Sequence, residues 1–197
     1  MKKLIIVILL AGLSLAQLVH AQTAVVPSID STSNKVATYR AVITDIAVAS
    51  TPTDIFRLSG SATKTVYVKS IAVNGVKTTS GTLLINLFKR STANTDGTTV
   101  AITEHPLDST YAVASAAAVG ITANMTVGTG VIVGTRRVSW LSDTVAVNTE
   151  PAVWTWGGFN PEAYLVLRGV AQGLTVNLNS VTQTGGVASV EVEWMEK

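Results

Sequence analysis

Two stretches near the C-terminus alternate apolar and polar residues with a period of two. Leu174, Val176 and Leu178 oppose Thr175, Asn177 and Asn179; after a turn at Gly185-Gly186, Val190, Val192 and Trp194 oppose Ser189, Glu191 and Glu193. That period predicts strands with one buried and one wet face. Residues 82–90 read differently, because Leu83, Leu84, Ile85, Leu87 and Phe88 leave scarcely any polar face, as in a strand buried on both sides. Earlier in the chain, a strand over residues 37–49 places Val42, Ile46 and Val48 on one face with Thr44. A turn around Pro52 precedes Ile55-Phe56-Arg57-Leu58, which Gly60 and Ser61 close. A strand over residues 64–73 reaches Asn74-Gly75, a dipeptide suited to a tight hairpin turn, and Ser80-Gly81 marks the next turn. Further short β-prone runs occupy residues 131–134, 137–141, 145–147, 153–156 and 163–170.

Between residues 91 and 130 the pattern dissolves into Thr, Ala, Gly and Asn. The alanine-rich patch at residues 112–118 fits a short helix or another strand. The stretch predicts one or two weak strands and a long excursion, the place to look for a partner-facing surface. Roughly ten short strands at close spacing, with no long helix and no repeat, predict an all-β antiparallel β-sandwich of jelly-roll type. An immunoglobulin-like sandwich is the alternative, although its Cys and Trp landmarks are missing.

The N-terminus follows other rules. Lys2 and Lys3 precede an apolar run over residues 4–13, and Val19-His20-Ala21 offers small residues where a signal peptidase cleaves, so residues 1–21 read as a secretory signal peptide. The run is too short to span a bilayer of about 30 Å as a permanent helix, so no stable membrane insertion is expected after cleavage. The mature chain then starts at Gln22 and works as a secreted, periplasmic or cell-surface protein. Residues 22–36 are polar, contain Pro27 and lack any period, which predicts a flexible N-terminal arm. Residues 37–197 form the single β-sandwich domain, within a mature length of 176 residues (197 minus 21).

Removing the leader takes away two lysines, so 12 basic residues face 12 acidic ones and no electrostatic case for nucleic acid remains. Cysteine is absent, which excludes disulfides, thiolate metal sites and cysteine nucleophiles. Val and Thr dominate over Leu, Glu and Lys, in keeping with a pleated fold.

Candidate chemistry is sparse. After cleavage the only imidazole is His105, in Thr103-Glu104-His105-Pro106; Glu104 and Asp108 lie near in sequence, but no Gly-x-Ser-x-Gly elbow accompanies them. We read His105 as a loop residue. Glu191 and Glu193 lie about 7 Å apart on one strand face, a spacing that invites comparison with paired glycosidase carboxylates. Alternate charges on the wet side of a near-terminal strand serve solubility and edge protection equally well. Asn94, Asp96 and Gly97 offer oxygen ligands at alternate positions, yet no glutamate closes a calcium loop and the same residues make an ordinary turn. Gly128-Thr129-Gly130 reads as a turn rather than a phosphate loop, and Arg136-Arg137 is isolated. The expectation is no catalytic residue, no metal and no cofactor. Trp140, Trp154, Trp156 and Tyr164 remain: on a surface they form a platform for a glycan, and inward they fill a core or a subunit contact.

Several segments resemble β-sandwich proteins encoded by tailed phages and found widely in environmental viral sequences. They are Ser50-Thr-Pro-Thr-Asp-Ile-Phe through Gly60 and Lys64-Thr65, then Lys89-Arg-Ser-Thr-Ala-Asn-Thr-Asp-Gly-Thr98, and Leu167-Arg-Gly through Val176-Asn-Leu-Asn179, ending in Val192-Glu-Trp194. The resemblance implies a structural role at a virion or particle surface, with no catalytic residues to carry over. The leader departs from it, since capsid proteins assemble in the cytoplasm, and directs the reading to an exported relative or a host surface protein. The sequence thus predicts a non-enzymatic, exported structural or adhesive β-sandwich that forms a homo-oligomer. A carbohydrate-binding module is the alternative.

Overall fold

The alternating C-terminal run forms the strand around which one sheet is built. The computed structural model describes residues 36–47, 54–123, 125–142, 150–158, 163–178 and 186–197, and residues Val36–Lys197 cluster as one compact unit. Strand β12 (Val187–Glu196) lies between β1 (Ala37–Ala47) and β3 (Thr65–Val76). β6 (Glu104–Pro106) flanks β1, while β9 (Ala152–Thr155) and β10 (Leu165–Arg168) share the far side of β3. The second sheet runs β5 (Thr99–Ala101), β7 (Ala118–Ile121), β2 (Asp54–Ser59), β11 (Gly173–Asn177), β4 (Gly81–Arg90) and β8 (Gly130–Trp140).

The pairings nest. β1 pairs with β12, β2 with β11, β3 with β10 and β4 with β8, all antiparallel. A chain paired in this way is one long hairpin, and the further pairs β3 with β12 and β4 with β11 roll it into two facing sheets. That is the jelly-roll connectivity the strand spacing predicts. The stretch without periodicity supplies three short strands, β5 to β7, and the alanine-rich patch enters β7 at Ala118 after an irregular approach.

Inward residues from both sheets form the core, with Phe56, Leu58, Leu83, Leu87, Val176 and Val192 fully buried. Trp194 stacks on Tyr39 with ring centroids 5.8 Å apart. Burying side chains of this size contributes about 1.5–3 kcal/mol each.

Three sequence expectations are corrected. The face shared by Val42 and Ile46 is broken by a bulge between Ile43 and Ile46, where Asp45 takes a left-handed φ of 56°, so Val42 is exposed and Ile46 buried. Asn74-Gly75 is no hairpin turn: both residues pair within the β3–β12 ladder, because Gly75 accommodates an indole from the facing sheet. Residues 131–134 and 137–141 belong to one strand, β8, which continues through a bulge between Ile132 and Gly134. Val48, the turn around Pro52 and residues 145–147 lie outside the described residues.

Candidate functional site

Strand β3 is irregular at one place. Its register against β12 shifts between Glu193 and Trp194, so Lys69 and Ser70 together span the step from Val68 to Ile71. The far neighbour of β3 breaks at the same level: β9 pairs with Ser70–Val73 and β10 with Thr65–Val68. The Trp156 N–H donates to the Lys69 carbonyl at 2.8 Å, closing the end of β9 onto the bulge. Bulges of this kind re-aim side chains and interrupt pairing. The result is an open cavity of about 560 Å³ on the outer side of the sheet, lined by Trp156, Tyr164, Lys69, Glu193, Ser70 and Thr155.

Tyr164 is held in place from below. Gly157, at a left-handed φ of 88°, lies so close to its ring that any Cβ there would collide with it. Tyr67 meets Tyr164 edge to face, with centroids 6.2 Å apart. Tyr164 also borders a second depression of about 470 Å³, beside Tyr67, Val166, Arg168 and Met195. The charges at the first cavity are paired. Lys69 contacts Glu193 Oε1, Arg40 reaches Glu193 Oε2 at 3.5 Å, and Arg40 Nε reaches Glu191 at 3.3 Å. Such part-exposed pairs contribute little to stability, about 0–1 kcal/mol each.

Among the aromatic candidates, the structure brings Trp156 and Tyr164 together at this cavity and takes the other two away. Trp140 is 1% exposed and belongs to the core, the inward one of its two readings, so it takes no part in a surface platform. Trp154 is partly buried against the core, over Gly134 of β8, with the Arg136 guanidinium 5.8 Å from its ring. Trp154 and Trp156 do share a face, but it is the inward one, and only the end of β9 lets Trp156 reach the cavity.

The remaining candidates have structural partners or stand apart. His105 lies within β6 and not in a loop, exposed opposite Arg40, whereas Glu104 pairs with the buried Ala41 position and accepts the Ala118 N–H at 2.7 Å. Adjacent strand residues point to opposite faces, so Glu104 cannot orient His105. Asp108 accepts the Thr110 N–H and hydroxyl. Glu191 and Glu193 are ion-paired on a central strand, so edge protection is not their role. Asn94 donates to Asp54 and accepts the Gly128 N–H, while Asp96 and Gly97 take φ values of 61° and 80° in a tight turn. Among the described residues, no three His, Asp or Glu gather where they would hold a metal. Arg137 is exposed on β8.

Two buried polar clusters escaped the sequence reading. Asp54 and Arg90 form a bidentate pair at 2.7 and 3.1 Å, and Asn94 and Asn177 also donate to the carboxylate. Arg90 further donates to the Gly128 carbonyl and lies over Phe88, 4.2 Å from its centroid. Glu196, on the inward face of β12, accepts N–H groups of Ser115 and Ala116 at 2.8–2.9 Å and the Trp194 indole N–H at 3.1 Å. It fastens the irregular approach to β7 onto the first sheet. The one available signal for Glu196 was its position on the apolar phase of β12, two residues after Trp194.

No protein-family model, curated protein or solved structure matches the chain.

Proposed function

We propose that this domain is an exported, non-enzymatic structural subunit that self-associates at the surface of a particle or cell. The observation that carries the reading is the outer edge of β8. This strand is 11 residues long and ends its sheet, and no described strand pairs with its outer side. Val131 and Ile132 on it are 64% and 54% exposed. An unpaired edge with β-branched residues is a template for another strand, and edge-to-edge pairing about a two-fold axis needs only one self-complementary patch. Arg136 and Arg137 lie several residues from Val131 and Ile132, so antiparallel pairing centred near Val133 keeps like charges of two copies apart.

Support also comes from the acidic groups. Asp54, Glu104, Asp108 and Glu196 each accept hydrogen bonds that hold loops or strands, which suits a scaffold better than a reaction centre. The resemblance to phage-encoded β-sandwich proteins supports the structural role, and the reading of residues 1–21 as a leader supports export. Light scattering on residues 22–197 over a range of concentrations tests the proposal. The expected result is a dimer or larger particle; a strict monomer at every concentration overturns it.

A further inference from the structure

The cavity at the break between β9 and β10 combines features that a scaffold does not require. Two aromatic side chains, Trp156 and Tyr164, share it with the hydroxyls of Ser70 and Thr155 and the Lys69–Glu193 ion pair. Its volume of about 560 Å³ falls within the roughly 300–1,000 Å³ of small-ligand sites.

The lining limits the ligand class. An apolar ligand would cover the Ser70 and Thr155 hydroxyls and take water from the Lys69–Glu193 ion pair while offering none of them a hydrogen bond. An anion meets the Glu193 carboxylate, and a cation meets Lys69 with Arg40 behind it. A neutral ring bearing hydroxyls satisfies all of them: its C–H face lies on an aromatic ring, and its hydroxyls donate to Glu193 and accept from Lys69. We propose that this cavity binds a pyranose unit of a neutral oligosaccharide.

The second depression gives the ligand its length. It shares Tyr164 with the first and continues past Tyr67 towards Arg168 and Met195. A ligand lying over Tyr164 therefore extends beyond one sugar ring. Gly157 and Tyr67 hold the Tyr164 ring from two sides, so the aromatic surface at the centre of the site is set before the ligand arrives. This site lies on the opposite sheet from the exposed edge of β8, and its occupancy is independent of self-association.

The test is calorimetric titration of the full mature chain with four neutral probes, cellohexaose, N-acetylchitohexaose, xylohexaose and maltohexaose, and with a galacturonate hexasaccharide as an anionic control. At least one neutral probe binds saturably, with the indole emission changing over the same titration. Tyr164→Ala weakens that binding at least tenfold. Because this ring also packs on Gly157, Thr155→Arg serves as a second variant, filling the cavity from an exposed position while leaving both rings intact; it abolishes binding without lowering the melting temperature. Ile132→Lys, on the other sheet, leaves binding within twofold of wild type whatever it does to the solution mass. Absence of binding by all four neutral probes at millimolar concentration, binding that survives Thr155→Arg, or binding of the galacturonate probe alone overturns the proposal. None of these results bears on the light-scattering mass, so the two readings fail separately.

Discussion

Gly75 on β3 lies directly beneath the indole of Trp140 on β8, so that a Cβ at residue 75 would stand 2.7 Å from Trp140 Cζ2 and 2.5 Å from the Val187 carbonyl oxygen. The two sheets touch through this glycine. An alanine there must displace either a fully buried indole or the backbone of β12, and overpacking of a core typically costs about 1–3 kcal/mol. Gly75→Ala is expected to lower stability by at least that amount, with the urea midpoint falling and the slope unchanged. An unaltered midpoint would show that the sheets have room to shift at this point.

The Asp54–Arg90 pair predicts an asymmetry. Both side chains are buried, and removing one strands the other charge in a dry setting, which typically costs about 3–5 kcal/mol. Asp54→Ala and Arg90→Met should each destabilise the domain by that order. The double variant should cost less than the sum of the two, and a double-mutant cycle by urea denaturation reads the coupling. Strict additivity would mean that Asn94 and Asn177, rather than Arg90, satisfy the carboxylate.

The edge of β8 makes a prediction about assembly without a stability change. Lysine at Ile132 places a charge on an exposed position, where substitutions usually stay within about 0.5 kcal/mol. Ile132→Lys should therefore keep the melting temperature at low protein concentration while shifting the light-scattering mass towards the monomer. A wild-type oligomer that Ile132→Lys leaves intact would move the interface elsewhere and spare the self-association reading.

Tyr39 predicts an alkaline limit. Burial, and then the nearby Glu196 and Tyr111, raise the pKa of its phenol above the ordinary 10.0, while its hydroxyl donates to the Ala112 carbonyl at 3.1 Å. The folded state thus holds the proton more tightly than the unfolded chain. This contribution is fully present below pH 10 and is lost as pH rises from 10 through the raised folded value. Melting temperature should fall above pH 10, and Tyr39→Phe, though less stable at neutrality by about 1 kcal/mol for the lost hydrogen bond, should fall less steeply. Parallel pH curves for the two proteins would sink the assignment to Tyr39.

Strand identity was largely legible in the chain. The alternation in β12 corresponds to the face that strand buries, because a pleated strand repeats every two residues wherever it sits. The apolar run of β4 does not mark a strand buried on both sides, since Leu83, Ile85 and Leu87 are buried while Leu84 and Phe88 on the other face are only partly so. The bulges were not legible. The extra residues at Thr44-Asp45, Lys69-Ser70 and Val133 exist only relative to a partner strand far away in sequence, and each redirects the side chains beyond it. Gly75 shows the same gap from the other side: Asn74-Gly75 carries turn chemistry, but the need for a bare Cα under Trp140 kept it inside a strand.

By itself the sequence determined the all-β class, the strand spacing that leads to a jelly roll, and the scarcity of catalytic groups, because these follow from local periodicity and composition. Only the tertiary structure decided which face each strand turns to water. Alternation places Trp154 and Trp156 on the same side, yet whether that side is core or surface depends on the sheet opposite and on where β9 stops. Trp140 therefore fills the interior while Trp156 and Tyr164 meet at a cavity: side-chain exposure is a property of paired and packed strands, not of one strand alone.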